Sequence, residues 1–127
     1  MAIEIRQVFN TTAEAIWQII GEPDRVDWVA GVESASFDGE VRRFKMSGAG
    51  QLAERIYRLD PAARLIEYGV VESTPPLDMH RASMQVIAHE QGAELVWKTE
   101  VAPQSVEPFI EAGMRGSLEG LHDLLGS

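Results

Sequence analysis

The stretch that decides the fold is SVEPFIEAGMRGSLEGLHDLL, residues 105–125, near the end of the chain. Its apolar side chains recur at i, i+3, i+4 and i+7, which places them on one side of a helix. Ser105 is the predicted N-cap, and Glu107 stands in the first turn, where the helix dipole favours an acid. The pattern therefore predicts a helix of roughly 20 residues with a single apolar stripe.

The chain before this helix is dominated by a hydrophobic period of two, which is typical of half-buried strands. Residues 2–9 alternate in this way from the start, so they predict a first strand. Six further strands are predicted near residues 32–37, 41–47, 51–59, 64–71, 79–89 and 93–102.

Two short helices are predicted between the first strand and the second. Thr11 and Glu14 form a capping-box pattern, and apolar residues follow at helical spacing as far as Gly21. Pro23 can open a second short helix that runs to about Trp28, because a first-turn residue needs no N–H.

The predicted fold class is α+β. Its elements are a seven-stranded curved antiparallel sheet wrapped around a long C-terminal helix, with the two short helices closing one end. The chain contains no internal repeat or linker-like stretch, so we expect residues 1–127 to form a single domain.

The composition excludes several kinds of site. The 127 residues include 11 basic and 20 acidic side chains, a formal charge of 11 − 20 = −9, and no cysteine. A disulfide scaffold, a thiolate zinc site and a cysteine nucleophile are therefore excluded, and the acidic balance argues against nucleic acid. No apolar run is long enough for a membrane span, and the first residues lack the pattern of an export signal, so we expect a cytoplasmic protein.

Several short stretches, in their order along the chain, resemble the helix-grip superfamily (SRPBCC), which includes the START lipid-transfer domains and the birch pollen allergen. They are similar above all to its polyketide cyclase/dehydrase-like branch. The resemblance implies a cavity between sheet and terminal helix, but not one common reaction. The stretches are AIW at 15–17, PDRVDWVAGV at 23–32, GEVRR at 39–43, ERIYRLD at 54–60, PPL at 75–77 and VW at 96–97.

Three glycines lie inside the predicted terminal helix, where each costs about 1 kcal/mol against alanine. Gly113, Gly116 and Gly120 either let the helix approach its neighbours closely or leave volume for a ligand. The cavity that the resemblance implies favours the second interpretation.

His80 and Glu54 are the two candidates for chemistry. Alternation places His80 on the apolar face of its strand with Met84, either as a core histidine or as a ligand contact. Alternation is ambiguous around Glu54, and two interpretations stay open. It is either a solvated strand residue or a cavity acid paired with Arg42 or Arg43, as the resemblance to another branch of the superfamily, the plant abscisic acid (hormone) receptors, implies. If both side chains face inward, an acid/base pair is one hypothesis.

The remaining candidates are mostly apolar or aromatic side chains on inward faces, with Trp28 either capping a ligand or plugging the core. The three histidines lack metal-ligand spacing and no nucleotide-binding motif is present, so we expect neither a metal nor another cofactor. The full set of predicted ligand-binding residues is Trp28, Arg42, Phe44, Met46, Glu54, Tyr68, Val70, His80, Met84, Trp97, Phe109, Gly113, Met114 and Ser117.

The predicted function is the binding of a small apolar or aromatic molecule, polyketide- or lipid-like, in a cavity between sheet and C-terminal helix. Cofactor-free cyclisation or dehydration of that molecule by acid/base catalysis is an open extension. The alternative is a protein-interaction module of the same fold with a collapsed cavity. The expected state is a monomer or a homodimer, since exposed strand edges permit pairing.

Overall fold

The computed structural model describes residues 2–47 and 50–126, and it contains one seven-stranded antiparallel sheet as predicted. The strand order is β1-β7-β6-β5-β4-β3-β2, so every neighbour is a hairpin partner except the pair β1 and β7. The strands are β1 (Ala2–Phe9), β2 (Val32–Phe37), β3 (Val41–Met46), β4 (Gly50–Asp60), β5 (Leu65–Glu72), β6 (Met79–His89) and β7 (Gly92–Ala102).

The hydrophobic period explains which face of the sheet forms the core. In β7, Leu95 and Trp97 are buried and alternate with Glu94, Lys98 and Glu100, which are not. Successive side chains of a strand point to opposite faces, so this pattern turns one face of the strand inward. The buried faces of β1, β5, β6 and β7 meet the helices in one core cluster.

One helix, α1 (Ala13–Ile20), follows β1. Its N-cap is Thr12 instead of the predicted Thr11, and the Thr12 hydroxyl accepts a hydrogen bond from the Ala15 amide at 3.1 Å. This one-residue shift leaves the buried face of α1 as predicted, because the apolar spacing is unchanged.

The predicted second short helix, from Pro23 to Trp28, is replaced by consecutive turns in residues 21–31. The backbone bonds of this segment are of the turn type, from the Arg25 amide to the Glu22 carbonyl and from the Val29 amide to the Val26 carbonyl. Two of its carbonyls also accept from side chains: Pro23 from Arg42 at 3.2 Å and Arg25 from the Trp28 indole at 3.0 Å.

The long terminal helix, α2 (Glu107–Leu125), carries the apolar stripe that the sequence predicts. A short 3₁₀ turn at Gln104–Val106 precedes it, so the residue at its N-cap is Val106 and not Ser105. Its buried residues Met114, Ser117, Leu118 and Leu121 face the sheet and the 21–31 segment.

The three helix glycines divide between the two interpretations. A side chain at Gly120 would collide with the Trp28 carbonyl, so this glycine allows a close backbone approach. A side chain at Gly116 would lie 3.2 Å from the Ala30 Cβ, a tight contact. A side chain at Gly113 would meet nothing within 4 Å, so only this glycine leaves open space.

We expect Gly120→Ala and Gly113→Ala to have opposite effects on stability. In Gly120→Ala the overlap with the Trp28 carbonyl outweighs the gain in helix propensity, lowering the free energy of unfolding by about 1–3 kcal/mol. Gly113→Ala removes only a helix-breaking residue and should raise it by up to about 1 kcal/mol. Urea denaturation measures both, and equal changes in the two variants would contradict the assigned packing.

Candidate functional site

A cavity of about 180 Å³ lies between the sheet and α2. The structure places every predicted ligand-binding residue except Phe109 on its wall, although ligand contact itself stays a prediction. The wall also includes six residues that were not predicted: Val29, Ala30, Leu52, Leu77, Thr99 and Ile110.

Phe109 is the correction, since its side chain is 79% exposed and lies outside the cavity wall. At 100° per residue, Phe109 is about 130° around the helix from the centre of the buried stripe. Phe109 is four residues before Gly113 and therefore lies on the same side of the helix. Gly113 is itself exposed, so this i+4 spacing led to the wrong assignment of Phe109 to the buried face.

A buried ion pair forms the polar end of the cavity. Arg42 and Glu54 are register partners on β3 and β4, and the Arg42 Nε donates to Glu54 Oε1 at 2.7 Å. Their side chains are only 6% and 10% exposed. Burial raises the pKa of the Glu54 carboxyl, and the Arg42 guanidinium opposes that rise.

Alternation was ambiguous around Glu54 because both faces of β4 are buried at this point. Ala53 and Glu54 are successive residues, and both are buried. The β4–β5 register shifts between them, but the unpaired residue is Val71 of β5, so the alternation of β4 itself stays regular here. Glu54 therefore shares the cavity face with Leu52, as a period of two requires.

Of the two arginines considered as partners of Glu54, Arg42 is the one that pairs with it in the structure. Its Nη1 donates to the Pro23 carbonyl, and its guanidinium lies 4.8 Å from the centre of the Tyr68 ring and 5.4 Å from that of Phe44. Arg43 lies on the opposite face of β3, where it pairs with exposed Glu72 at 2.6 Å.

His80 completes the polar end, and one of its nitrogens has a structural role. The β5–β6 register pairs end at Tyr68 and Ala82, and beyond them the Val70 amide donates to His80 Nδ1 at 3.1 Å. Gly69 permits this approach, because a side chain there would collide with the His80 carbonyl. Burial lowers the pKa of the His80 imidazole to about 4. Since Nδ1 accepts a hydrogen bond, the neutral ring carries its hydrogen on Nε2.

Aromatic residues form the middle of the wall. The Trp97 indole donates to the Tyr68 hydroxyl at 3.0 Å, and burial raises the pKa of that hydroxyl. The Trp28 ring lies 5.7 Å from the Trp97 ring at an interplanar angle of 57°. Trp28 lines the cavity, and its N–H donates to the Arg25 carbonyl at 3.0 Å.

Side chains from α2 complete the other wall. The Ser117 hydroxyl accepts from the Ala30 amide at 3.1 Å, which ties the 21–31 segment to the helix. The Thr99 hydroxyl lies 3.5 Å from the Met114 sulfur. Thr99 and Leu77 were missed because a threonine in an apolar alternation and a loop leucine carry no binding signal of their own.

Within residues 2–47 and 50–126, no group of three or more His, Asp or Glu side chains is placed to hold a metal ion. Over the same residues, no helix combines the length and hydropathy needed to cross a bilayer.

A curved antiparallel sheet, a long helix across it and a cavity between them define a helix-grip protein. The model of the family described as polyketide cyclase / dehydrase and lipid transport matches residues 2–126. The chain therefore belongs to this family, and family and fold together indicate hydrophobic ligand binding.

Solved structures share the fold at low sequence identity. An uncharacterised protein from Bacillus thuringiensis has a TM-score of 0.90 at 15% identity, with full coverage of both chains. The protein XoxI from Bacillus cereus has a TM-score of 0.84 at 19% identity, covering 98% of this chain and 93% of its own. Ara h 8.0201 has a TM-score of 0.81 at 11% identity, covering 100% and 99%. A comparison with curated proteins found no match.

The buried imidazole predicts a pH dependence of stability. The pKa of His80 is about 4 in the folded protein, below the value of about 6.5 expected in the unfolded chain. Its contribution is therefore complete above about pH 6.5 and is lost as the pH falls towards 4, to a total of about 3 kcal/mol. Urea denaturation at about pH 7.5 and about pH 4.5 measures this loss.

His80→Gln supplies the comparison for that prediction, because its amide can accept from Val70 and does not titrate. The variant should lose less stability than the wild type between the two pH values. The same loss in both proteins would contradict a buried neutral imidazole.

Proposed function

We propose that this protein binds one small apolar or aromatic molecule in the cavity between the sheet and α2. The observation that carries the proposal is the open volume of about 180 Å³, lined by aromatic rings from several elements and by Gly113. Membership of a family described by polyketide cyclase, dehydrase and lipid-transport activities supports it.

The size of the cavity narrows the class of ligand. An engineered apolar cavity of about 150 Å³ accepts benzene, so a volume of about 180 Å³ suits a molecule of one or two rings. An extended acyl chain or a polycyclic product would need the cavity to enlarge. We therefore propose a compact aromatic ligand in preference to a long lipid.

The same volume argues against the interaction-module alternative, which requires a collapsed cavity. Exposed apolar side chains such as Phe109 and Tyr57 do occur, and the Arg81 guanidinium covers the Tyr57 ring at 3.9 Å. Single exposed apolar residues are normal on protein surfaces and need no partner.

Naphthalene tests the cavity directly. We expect it to shift the amide NMR signals of Gly113 and Ser117 and the indole N–H signal of Trp97. Gly113→Leu should abolish the shifts, because the leucine fills the open space. Ala112→Leu adds the same side chain at the neighbouring exposed helix position and should bind like the wild type. No binding to the wild type, or equal binding to all three proteins, would contradict the proposal.

Acid/base catalysis is the second candidate, and two cavity atoms favour it. Glu54 uses Oε1 on Arg42 and His80 uses Nδ1 on the Val70 amide, so these bonds do not involve Glu54 Oε2 and His80 Nε2, and both side chains line the cavity. The carboxylate can accept a proton from the carbon next to a ketone. The neutral imidazole then suits a different role from proton donation, because its N–H can stabilise the negative charge that develops on the ketone oxygen.

A two-ring ketone, 1-tetralone, tests this second candidate without a known substrate. If Glu54 acts as a base, the protein should accelerate exchange of the ketone α-protons in D₂O, followed by ¹H NMR. Glu54→Gln should lose most of the acceleration, since an amide cannot take the proton, typically a factor of about 10²–10⁴. If the α-protons exchange at the buffer rate while the ketone is bound, the protein binds ketones but does not catalyse this proton transfer.

A further inference from the structure

We infer that the ligand is electrically neutral and carries a hydroxyl or ketone oxygen, and that the site discriminates against a carboxylate. This inference rests on the proposed binding function and adds the polarity of the ligand to it. It derives from the charges and the unused hydrogen-bonding atoms at the polar end of the cavity.

The first step concerns charge. Arg42 carries a permanent positive charge, and Glu54 Oε1 lies 2.7 Å from its Nε. Were Glu54 protonated, the guanidinium would be a buried cation without a counterion, which is costly. The pair is thus a guanidinium with a carboxylate, so its net charge is zero. A ligand carboxylate would bring a third, uncompensated charge into the same buried space.

The second step concerns the hydrogen bonds that remain available. Arg42 uses Nε on Glu54 and Nη1 on the Pro23 carbonyl, and these two bonds do not involve its Nη2. His80 uses Nδ1 on the Val70 amide, which leaves the Nε2 hydrogen. Glu54 retains Oε2 as an acceptor. The polar end therefore offers two donors and one acceptor.

The third step concerns which ligand groups fit these atoms. A phenolic hydroxyl can donate to Glu54 Oε2 and accept from a donor, and a ketone oxygen can accept from His80 Nε2 or Arg42 Nη2. A pure hydrocarbon would leave all three groups without partners or with trapped water, which lowers its affinity. The rest of the wall is mainly aromatic and aliphatic, so the remainder of the ligand is a ring system.

Three ligands of nearly equal size test the inference: naphthalene, 1-naphthol and 1-naphthoate. Dissociation constants are measured by NMR titration of the full chain at neutral pH. We expect 1-naphthol to bind about tenfold or more tightly than naphthalene, because it makes hydrogen bonds to charged groups. We expect 1-naphthoate to bind most weakly.

The outcomes separate this inference from the proposed function. Naphthalene binding as tightly as 1-naphthol would overturn the polar requirement and leave the cavity proposal standing. 1-Naphthoate binding most tightly would overturn the argument from net charge. Failure of all three ligands to bind would overturn both proposals.

The Glu54→Gln variant should shift the preference of the site towards a negatively charged ligand. The variant leaves Arg42 without its counterion, so 1-naphthoate should gain about tenfold in affinity relative to 1-naphthol. A residue with a purely structural role would lower the affinity for both ligands alike. An unchanged preference in the folded variant would overturn the inference.

A double variant tests the same inference in case the Glu54→Gln variant does not fold. Arg42→Met with Glu54→Leu removes both charges at similar volume, a change that buried ion pairs often tolerate. In this double variant naphthalene should still bind, and its disadvantage against 1-naphthol should shrink. Full retention of the 1-naphthol preference would overturn the assignment of the polar end to this pair.

Discussion

The buried Arg42–Glu54 ion pair is the interaction on which the organisation of this molecule depends. It joins β3 to β4, and through the Pro23 carbonyl it also holds the segment that closes the cavity. The guanidinium lies over the Tyr68 and Phe44 rings, so the charged pair and the aromatic wall are one packed unit. Buried ion pairs contribute little to stability against an apolar alternative. This one lies at the end of the cavity, where the proposed ligand would contact it.

Two glycines of the terminal helix have opposite effects on packing. At Gly120 the absence of a side chain lets the backbone of the 21–31 segment approach, and the Ser117 hydroxyl ties the same segment to the helix. At Gly113 the absence of a side chain creates volume. Both positions lower helix propensity. The amphipathic packing of α2 on the core offsets that cost, because tertiary burial contributes most of the stability of a helix.

Most of the architecture could be predicted because hydrophobic period is a strong local signal. The alternation along β7 and the apolar spacing of α2 each identify an element and its buried face. The details that failed depend on contacts with distant residues. The turns after α1 are held to distant residues, through Arg42 on the Pro23 carbonyl and Ser117 on the Ala30 amide, and the burial of Ala53 on the other face of β4 obscured the direction of Glu54. Neither cause is visible in the neighbouring sequence. The prediction for Phe109 was wrong for a local reason, because the spacing of apolar residues alone does not locate the centre of the apolar stripe of α2.

The two properties of the cavity originate in different parts of the chain. Its polarity comes from strands β3, β4 and β6, whereas α2 contributes Gly113, where an added side chain would meet nothing within 4 Å. Any substitution at position 113 adds a side chain and can therefore only reduce the free volume, while the hydrogen-bonding groups stay as they are. The size and the polarity of the cavity are thus set at separate positions of the sequence. A lineage built on this scaffold can diversify in one of them without first losing the other.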